Sequence, residues 1–102
     1  MTEQRTVFFV SDGTGITAET LGGTLLTQFE GVGFAKTTLP FINTPQKARV
    51  TVDYINHLAA TASQRPMVFS TTVNEEVRGI LRGAQALFLD LFDTYIKPGG
   101  DG

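Results

Sequence analysis

The strongest constraint on the fold is the run Thr6-Val7-Phe8-Phe9-Val10, which breaks at once into Ser11-Asp12-Gly13-Thr14-Gly15. A strand with one wet face alternates apolar and polar residues. An unbroken run of β-branched and aromatic residues instead requires cover on both faces, as in a parallel sheet with helices above and below. At 102 residues the chain holds one core and too little material for a second. Its 41% hydrophobic and 18% charged residues are those of an ordinary folded domain, neither disordered nor fibrous.

The rest of the chain punctuates itself. From Ile16 to Phe29 the apolar residues Ala18, Leu21, Leu25 and Phe29 recur at helical spacing. Gly22 and Gly23 weaken that helix by roughly 1 kcal/mol each relative to Ala. Gly31 and Gly33 break the chain, and Phe34 to Phe41 reads as a second strand closed by Pro40. Thr44-Pro45 starts a second helix, with Thr44 able to cap a free amide and Pro45 lacking one to satisfy. Its stripe is Ala48, Val52, Ile55, Ala59 and Ala62. Pro66 to Ser70 is a third strand. Asn74 can cap a third helix that carries Glu75 and Glu76 in its first turn, the stripe Val77, Ile80, Leu81 and Ala84, and an end near Gly83 or Ala84. Ala86 to Phe92 is read as a fourth strand, although a run so short also fits the start of a helix. The tail Pro98-Gly99-Gly100-Asp101-Gly102 has nothing to bury and is expected to fray. The alternation of strand and helix predicts an α/β domain over residues 6–97: a mostly parallel sheet of about four strands with helices on both faces, an open three-layer sandwich.

Several function classes are disfavoured. A net charge of −2 with scattered Lys and Arg lacks the basic footprint that nucleic acid requires. With Cys at 0, thiolate metal sites and cysteine nucleophiles are excluded. The apolar run after Met1-Thr2-Glu3-Gln4-Arg5 is too short for a signal sequence or a membrane span, so the expected compartment is the cytoplasm. His57, the one histidine of the chain, stands mid-helix and is read as a surface or packing residue; no metal site is expected. Lys47 and Arg49 are read as a solvated helix face, with a bound anion as the alternative. Phe8, Phe9, Phe41, Phe69, Phe88 and Phe92 are read as core.

In open α/β sheets ligands bind outside the carboxyl ends of the strands, where this chain is rich in hydroxyls. The candidate anion or phosphate site is Ser11, Asp12, Gly13, Thr14, Gly15 and Thr17. Asn43, Thr44, Ser70, Thr71, Thr72 and Asn74 follow strands two and three, and Thr44, Ser70, Thr71 and Asn74 form its expected rim. Hydroxyls and amides at a helix N-terminus suit an anion. Asp12 opposes a bare one, and fits either a magnesium-bound phosphate or a role in shaping the turn. The purely structural alternative has Thr14 capping the first helix, Asp12 making a turn and the glycines supplying positive φ. Gly13-Thr14-Gly15-Ile16-Thr17-Ala18 also fits the dinucleotide pattern G-x-G-x-x-A. No acid follows between Glu30 and Asp53 to hold a ribose, and that reading is set aside. A Walker A loop is missing, since Lys36, Lys47 and Lys97 follow Ala, Gln and Ile.

Val7-Phe8-Phe9-Val10-Ser11-Asp12-Gly13-Thr14-Gly15-Ile16-Thr17-Ala18-Glu19, Gln28-Phe29, Thr38-Leu39-Pro40-Phe41, Arg65-Pro66-Met67-Val68-Phe69 and Leu89-Asp90-Leu91-Phe92 together resemble the N-terminal part of the phosphoenolpyruvate synthetase regulatory proteins. The resemblance runs from about residue 6 to 98. It implies a bifunctional serine/threonine kinase and phosphotransferase. Such an enzyme uses ADP to phosphorylate a threonine of phosphoenolpyruvate synthetase or, in the related plant members, of pyruvate, phosphate dikinase. It uses inorganic phosphate to remove the group, releasing pyrophosphate. Implied partners are that target enzyme and the family's own C-terminal P-loop domain, which lies beyond this chain; homodimerisation stays open. Gly23 and Glu30 stand where many relatives are expected to carry histidine and proline, so no role is carried to them. The expectation is an N-terminal domain that is inactive alone and has no cofactor of its own. A stand-alone phosphate- or nucleotide-binding module, or one that docks the target enzyme, is the alternative.

Overall fold

Burial organises the sheet around its first strand. The computed structural model describes residues 4–29 and 31–92. Strand β1 (Gln4–Val10) pairs in parallel with β2 (Gly33–Leu39) on one side and β3 (Met67–Ser70) on the other, and β3 pairs in parallel with β4 (Leu87–Asp90). The order is β2-β1-β3-β4. Val7, Phe8 and Val10 are wholly buried and Phe9 nearly so. Each such side chain contributes about 1.5–3 kcal/mol relative to exposure.

Helices cover both faces. Phe8, Val10 and Val68 pack with Ala48 and Ile55 of α2 (Pro45–Ala59) and with Val77 and Leu81 of α3 (Glu75–Arg82). Val7, Phe9, Met67 and Phe69 pack on the opposite face with Ala18 and Leu26 of α1 (Ile16–Leu26), and with Leu91. The alternation of side chains along β1 therefore feeds two separate cores, as the unbroken apolar run required. The cap readings of α2 and α3 agree with the structure: Thr44 Oγ1 accepts from the Lys47 amide at 3.1 Å, and Asn74 Oδ1 from the Val77 amide at 3.0 Å.

The structure corrects α1 and the end of β2. Ala18, Gly22 and Leu26 are the buried residues of α1, with Leu21 and Leu25 flanking them. Phe29 lies beyond the helix and is 52% exposed. The cause is Gly22, which sits against the sheet: a Cβ there would lie 2.5 Å from Phe9 Cε1 and 3.1 Å from Phe69 Cγ. A glycine that costs helix propensity thus permits the close approach of helix and sheet. Similarly β2 stops at Leu39, and Phe41 turns outward at φ 60 to become 52% exposed instead of core. Ala62 falls past the end of α2 and is exposed. The fourth strand is present but short, and the expected tail at 98–102 lies outside the described residues.

The chain passes from β1 through α1 on one face to β2, then returns over β1 through α2 on the other face to β3. The order reverses between β1 and β3, and at such a switch point the loops leaving neighbouring strands separate to open a crevice.

Gly22→Ala is expected to lower stability by about 1–3 kcal/mol through overpacking, despite a gain in helix propensity of about 1 kcal/mol. Gly23→Ala, whose Cβ would meet nothing within 4 Å, is expected to stabilise by up to about 1 kcal/mol. Urea unfolding of the two variants checks the pair, and equal effects would contradict this packing account.

Candidate functional site at the strand switch point

The loop after β1 is held by its neighbours on both sides. Toward β2, the Ser11 amide donates to the Leu39 carbonyl at 3.2 Å. The Ile42 amide donates to Ser11 O and the Phe41 amide to Gly13 O, both at 2.8 Å. Toward β3, the Thr71 amide donates to the Val10 carbonyl at 3.0 Å, and the Val73 amide to Asp12 Oδ2 at 3.0 Å. Within the loop, Ser11 Oγ accepts from the Gly13 amide at 3.0 Å. Gly15 then turns the chain into α1 at φ 94, in the left-handed region that favours glycine. A Cβ at Gly15 would lie 2.6 Å from Thr38 Cγ2.

The structural alternative posed from sequence holds in part. Thr14 does not cap α1; Gly15 occupies that position, and among the described residues no side chain caps this helix. Gly15 has positive φ and Gly13 does not. Asp12 does hydrogen-bond a backbone amide, but that amide belongs to the loop after β3.

Ser11, Asp12, Gly13, Thr14, Gly15 and Thr17 all line one cavity of about 320 Å³, together with Ile16, Thr71, Val73 and Phe92. The other expected rim residues are placed elsewhere. Ser70 is fully buried and its hydroxyl pairs with Thr72 Oγ1 at 2.9 Å, so the two buttress the loop from beneath. Asn74 is engaged as the cap of α3. Thr44 caps α2 and lines a different cavity with Ile42, Gln46 and Lys47. Lys47 is exposed and bonds Asn43 Oδ1 at 3.3 Å, and Arg49 and His57 are exposed.

The cavity pairs hydroxyls with free helix amides. The amides of the first turn of a helix have no intrahelical partner, and here Gly15, Ile16 and Thr17 of that turn border the cavity. The dipole of α1 adds partial positive charge at the same place. Among the described residues that line it, Asp12 is the one ionisable side chain. An anion held here would therefore rely on amides, hydroxyls and the dipole, with positive charge brought by the ligand or by another protein segment. Among the described residues no group of three His, Cys, Asp or Glu could hold a metal ion.

Sequence reading missed part of this region. Phe92, read as core, lines the cavity, and the Arg78 guanidinium lies 5.6 Å from its ring centroid. Arg78 donates to Asp90 Oδ2 through Nε at 2.9 Å and Nη2 at 2.5 Å, and Arg82 Nη2 reaches the same oxygen at 3.1 Å. The available signal was the spacing of Arg78 and Arg82, four apart on one helix face, with one acid at the end of the next strand.

Fold and site define an open parallel α/β domain whose ligand-sized cavity opens where the strand order reverses. Residues 7–99 match the family described as kinase/pyrophosphorylase, and the chain belongs to that family. It is 48% identical over 98 residues to a protein of Pseudomonas aeruginosa, covering 96% of this chain and 36% of that one. It is 50% identical over 95 residues to a protein of Stutzerimonas stutzeri, covering 93% and 35%. A Pseudomonas putida protein gives the same identity and coverage. All three relatives carry phosphoenolpyruvate synthase regulatory protein as a provisional name. The chain thus spans about 36% of the length of such relatives. No helix among the described residues is long and apolar enough to cross a membrane.

Gly15→Ala is expected to destabilise the chain by about 1–3 kcal/mol, because it combines a left-handed backbone with a contact the neighbouring strand must yield to. Thermal unfolding checks it, and a variant as stable as the parent would contradict the geometry of this turn.

Proposed function

We propose that this chain is the N-terminal part of a regulatory kinase/pyrophosphorylase acting in the cytoplasm on phosphoenolpyruvate synthase, or on pyruvate, phosphate dikinase. In this reading the intact enzyme phosphorylates a threonine of the target with ADP, and removes the group with inorganic phosphate to release pyrophosphate. Family membership supports the kinase/pyrophosphorylase class, and the names of the relatives support the target. The observation that carries a role for this domain is the cavity over the uncapped N-terminus of α1, lined by Ser11, Asp12, Gly13, Thr14, Gly15 and Thr17. Phosphoryl transfer depends on positioning and charge neutralisation, and a cradle of amides and hydroxyls supplies positioning.

The same arrangement explains why the chain alone is proposed to be inactive. Among the described residues no lysine or arginine lines the cavity, so neutralisation is assigned to a magnesium ion arriving with the phosphate and to the remainder of the relatives' length. A docking role has one observation in its favour: Ile16 is 67% exposed, and Phe41 and Val73 each 52%, in the loops around the cavity. Those side chains suit contact with a protein surface.

The test uses the full-length Pseudomonas aeruginosa relative, with valine replacing the residues that match Thr14 and Thr17. Both the ADP-dependent and the phosphate-dependent rates are expected to fall at least about tenfold, since loss of positioned donors commonly costs a hundredfold or more. Unchanged rates in both directions, with target capture retained, would overturn the anion role and leave the domain a docking module.

A further inference from the structure

We infer that Asp12 is a positioning residue: its carboxylate holds the loop after β3 against the loop after β1 and so sets the width of the crevice between them. The hydrogen bond that supports this joins residues 61 apart, Val73 N to Asp12 Oδ2 at 3.0 Å. Strands β1 and β3 are neighbours in the sheet, and their last shared ladder contact is Thr71 N to Val10 O. Beyond that contact the two chains have to separate, because one turns into α1 on one face and the other into α3 on the opposite face. Asp12 and Val73 stand where they separate, and both line the cavity.

The other side of the loop does not need such a device. Toward β2 the backbone itself continues the pairing, through Phe41 N to Gly13 O and Ile42 N to Ser11 O. Toward β3 the side chain of Asp12 takes over where backbone pairing stops. There the carboxylate oxygen accepts the Val73 amide proton. Below it the buried Ser70 and Thr72 hydroxyls pair with each other, and Ser70 Oγ also accepts the Thr72 amide at 3.2 Å, fixing the segment that presents Val73. Asp12 therefore acts on a ligand in the cavity through the placement of Thr71 and Val73. An acceptor oxygen is what the position requires; its negative charge is not.

The requirement for an acceptor separates this role from that of a cation ligand, because Asn retains an acceptor oxygen and loses the charge. The experiment measures amide hydrogen exchange by NMR in the full chain and its Asp12→Ala and Asp12→Asn variants, with the Phe8 amide reporting global opening. In Asp12→Ala the Val73 amide is expected to exchange at least about tenfold faster relative to Phe8; in Asp12→Asn it should stay within about threefold of the parent. Unchanged protection in Asp12→Ala, or full loss of it in a folded Asp12→Asn, would overturn the assignment. If Asp12→Ala does not fold, the Asn variant alone decides.

A second readout rests on the anion reading proposed above: calorimetric affinity for inorganic phosphate should be lower in Asp12→Ala than in Asp12→Asn, which keeps the acceptor, lacks the carboxylate that opposes a bare anion and should bind at least as well as the parent. Asn failing as badly as Ala there, with Val73 still protected, would assign the charge itself to ligand or cation and overturn a purely positioning role. Absence of phosphate binding in the parent chain would count against the anion reading alone, and the exchange data would still decide the role of Asp12.

Discussion

Everything in this domain hangs on the burial of β1 from both sides. Val7 and Phe9 point into one core and Phe8 and Val10 into the other, so a helix layer is required on each face. Two helix layers on a parallel sheet force the chain to cross first on one face and then on the other. The reversal of strand order beside β1 follows, and with it the crevice in which the candidate site lies. The site is thus a consequence of core packing before it is a matter of particular polar residues.

Two glycines convert that architecture into a cavity. Gly22 lets α1 lie close on Phe9 and Phe69, which fixes the height of the helix over the sheet. Gly15 lets the chain turn from β1 into that helix while passing Thr38 on the neighbouring strand. Together they aim the N-terminus of α1 at the space between the loops after β1 and β3. The polar residues then divide the work. Ser11 braces Gly13, Asp12 ties in Val73, and Thr14 and Thr17 border the cavity. At the end of β4 the Arg78 and Asp90 pair buttresses the flank nearest Phe92.

Much of this was legible in the sequence, for local reasons. The unbroken run of β1, the Thr44-Pro45 and Asn74 helix starts and the glycine breaks each rest on a few neighbouring residues, and each lies close to where it was expected. The loop from Ser11 to Thr17 was legible because its residue types and its place between strand and helix are both local. What was hidden depends on residues far apart. The sequence shows Gly22 only as a weak helix position, because the rings that need its space lie on β1 and β3. Phe41 reads as the end of an apolar strand until the loop pairing with Gly13 turns it outward. Thr44 and Asn74 were expected at the site because they follow strands, but each is engaged in capping its own helix. The bond from Asp12 to Val73 joins loops that only the completed sheet brings together.

The loop from Ser11 to Thr17 is proposed to receive an anion at the switch point. Its most direct test is a titration of the isotopically labelled chain with inorganic phosphate, with and without magnesium, followed through backbone amide shifts. Saturable shifts are expected, concentrated at Gly13, Thr14, Gly15, Ile16 and Thr17, with smaller ones at Thr71 and Val73. Shifts centred instead on Lys47, or on Arg78 and Arg82, or none anywhere on the chain, would contradict it.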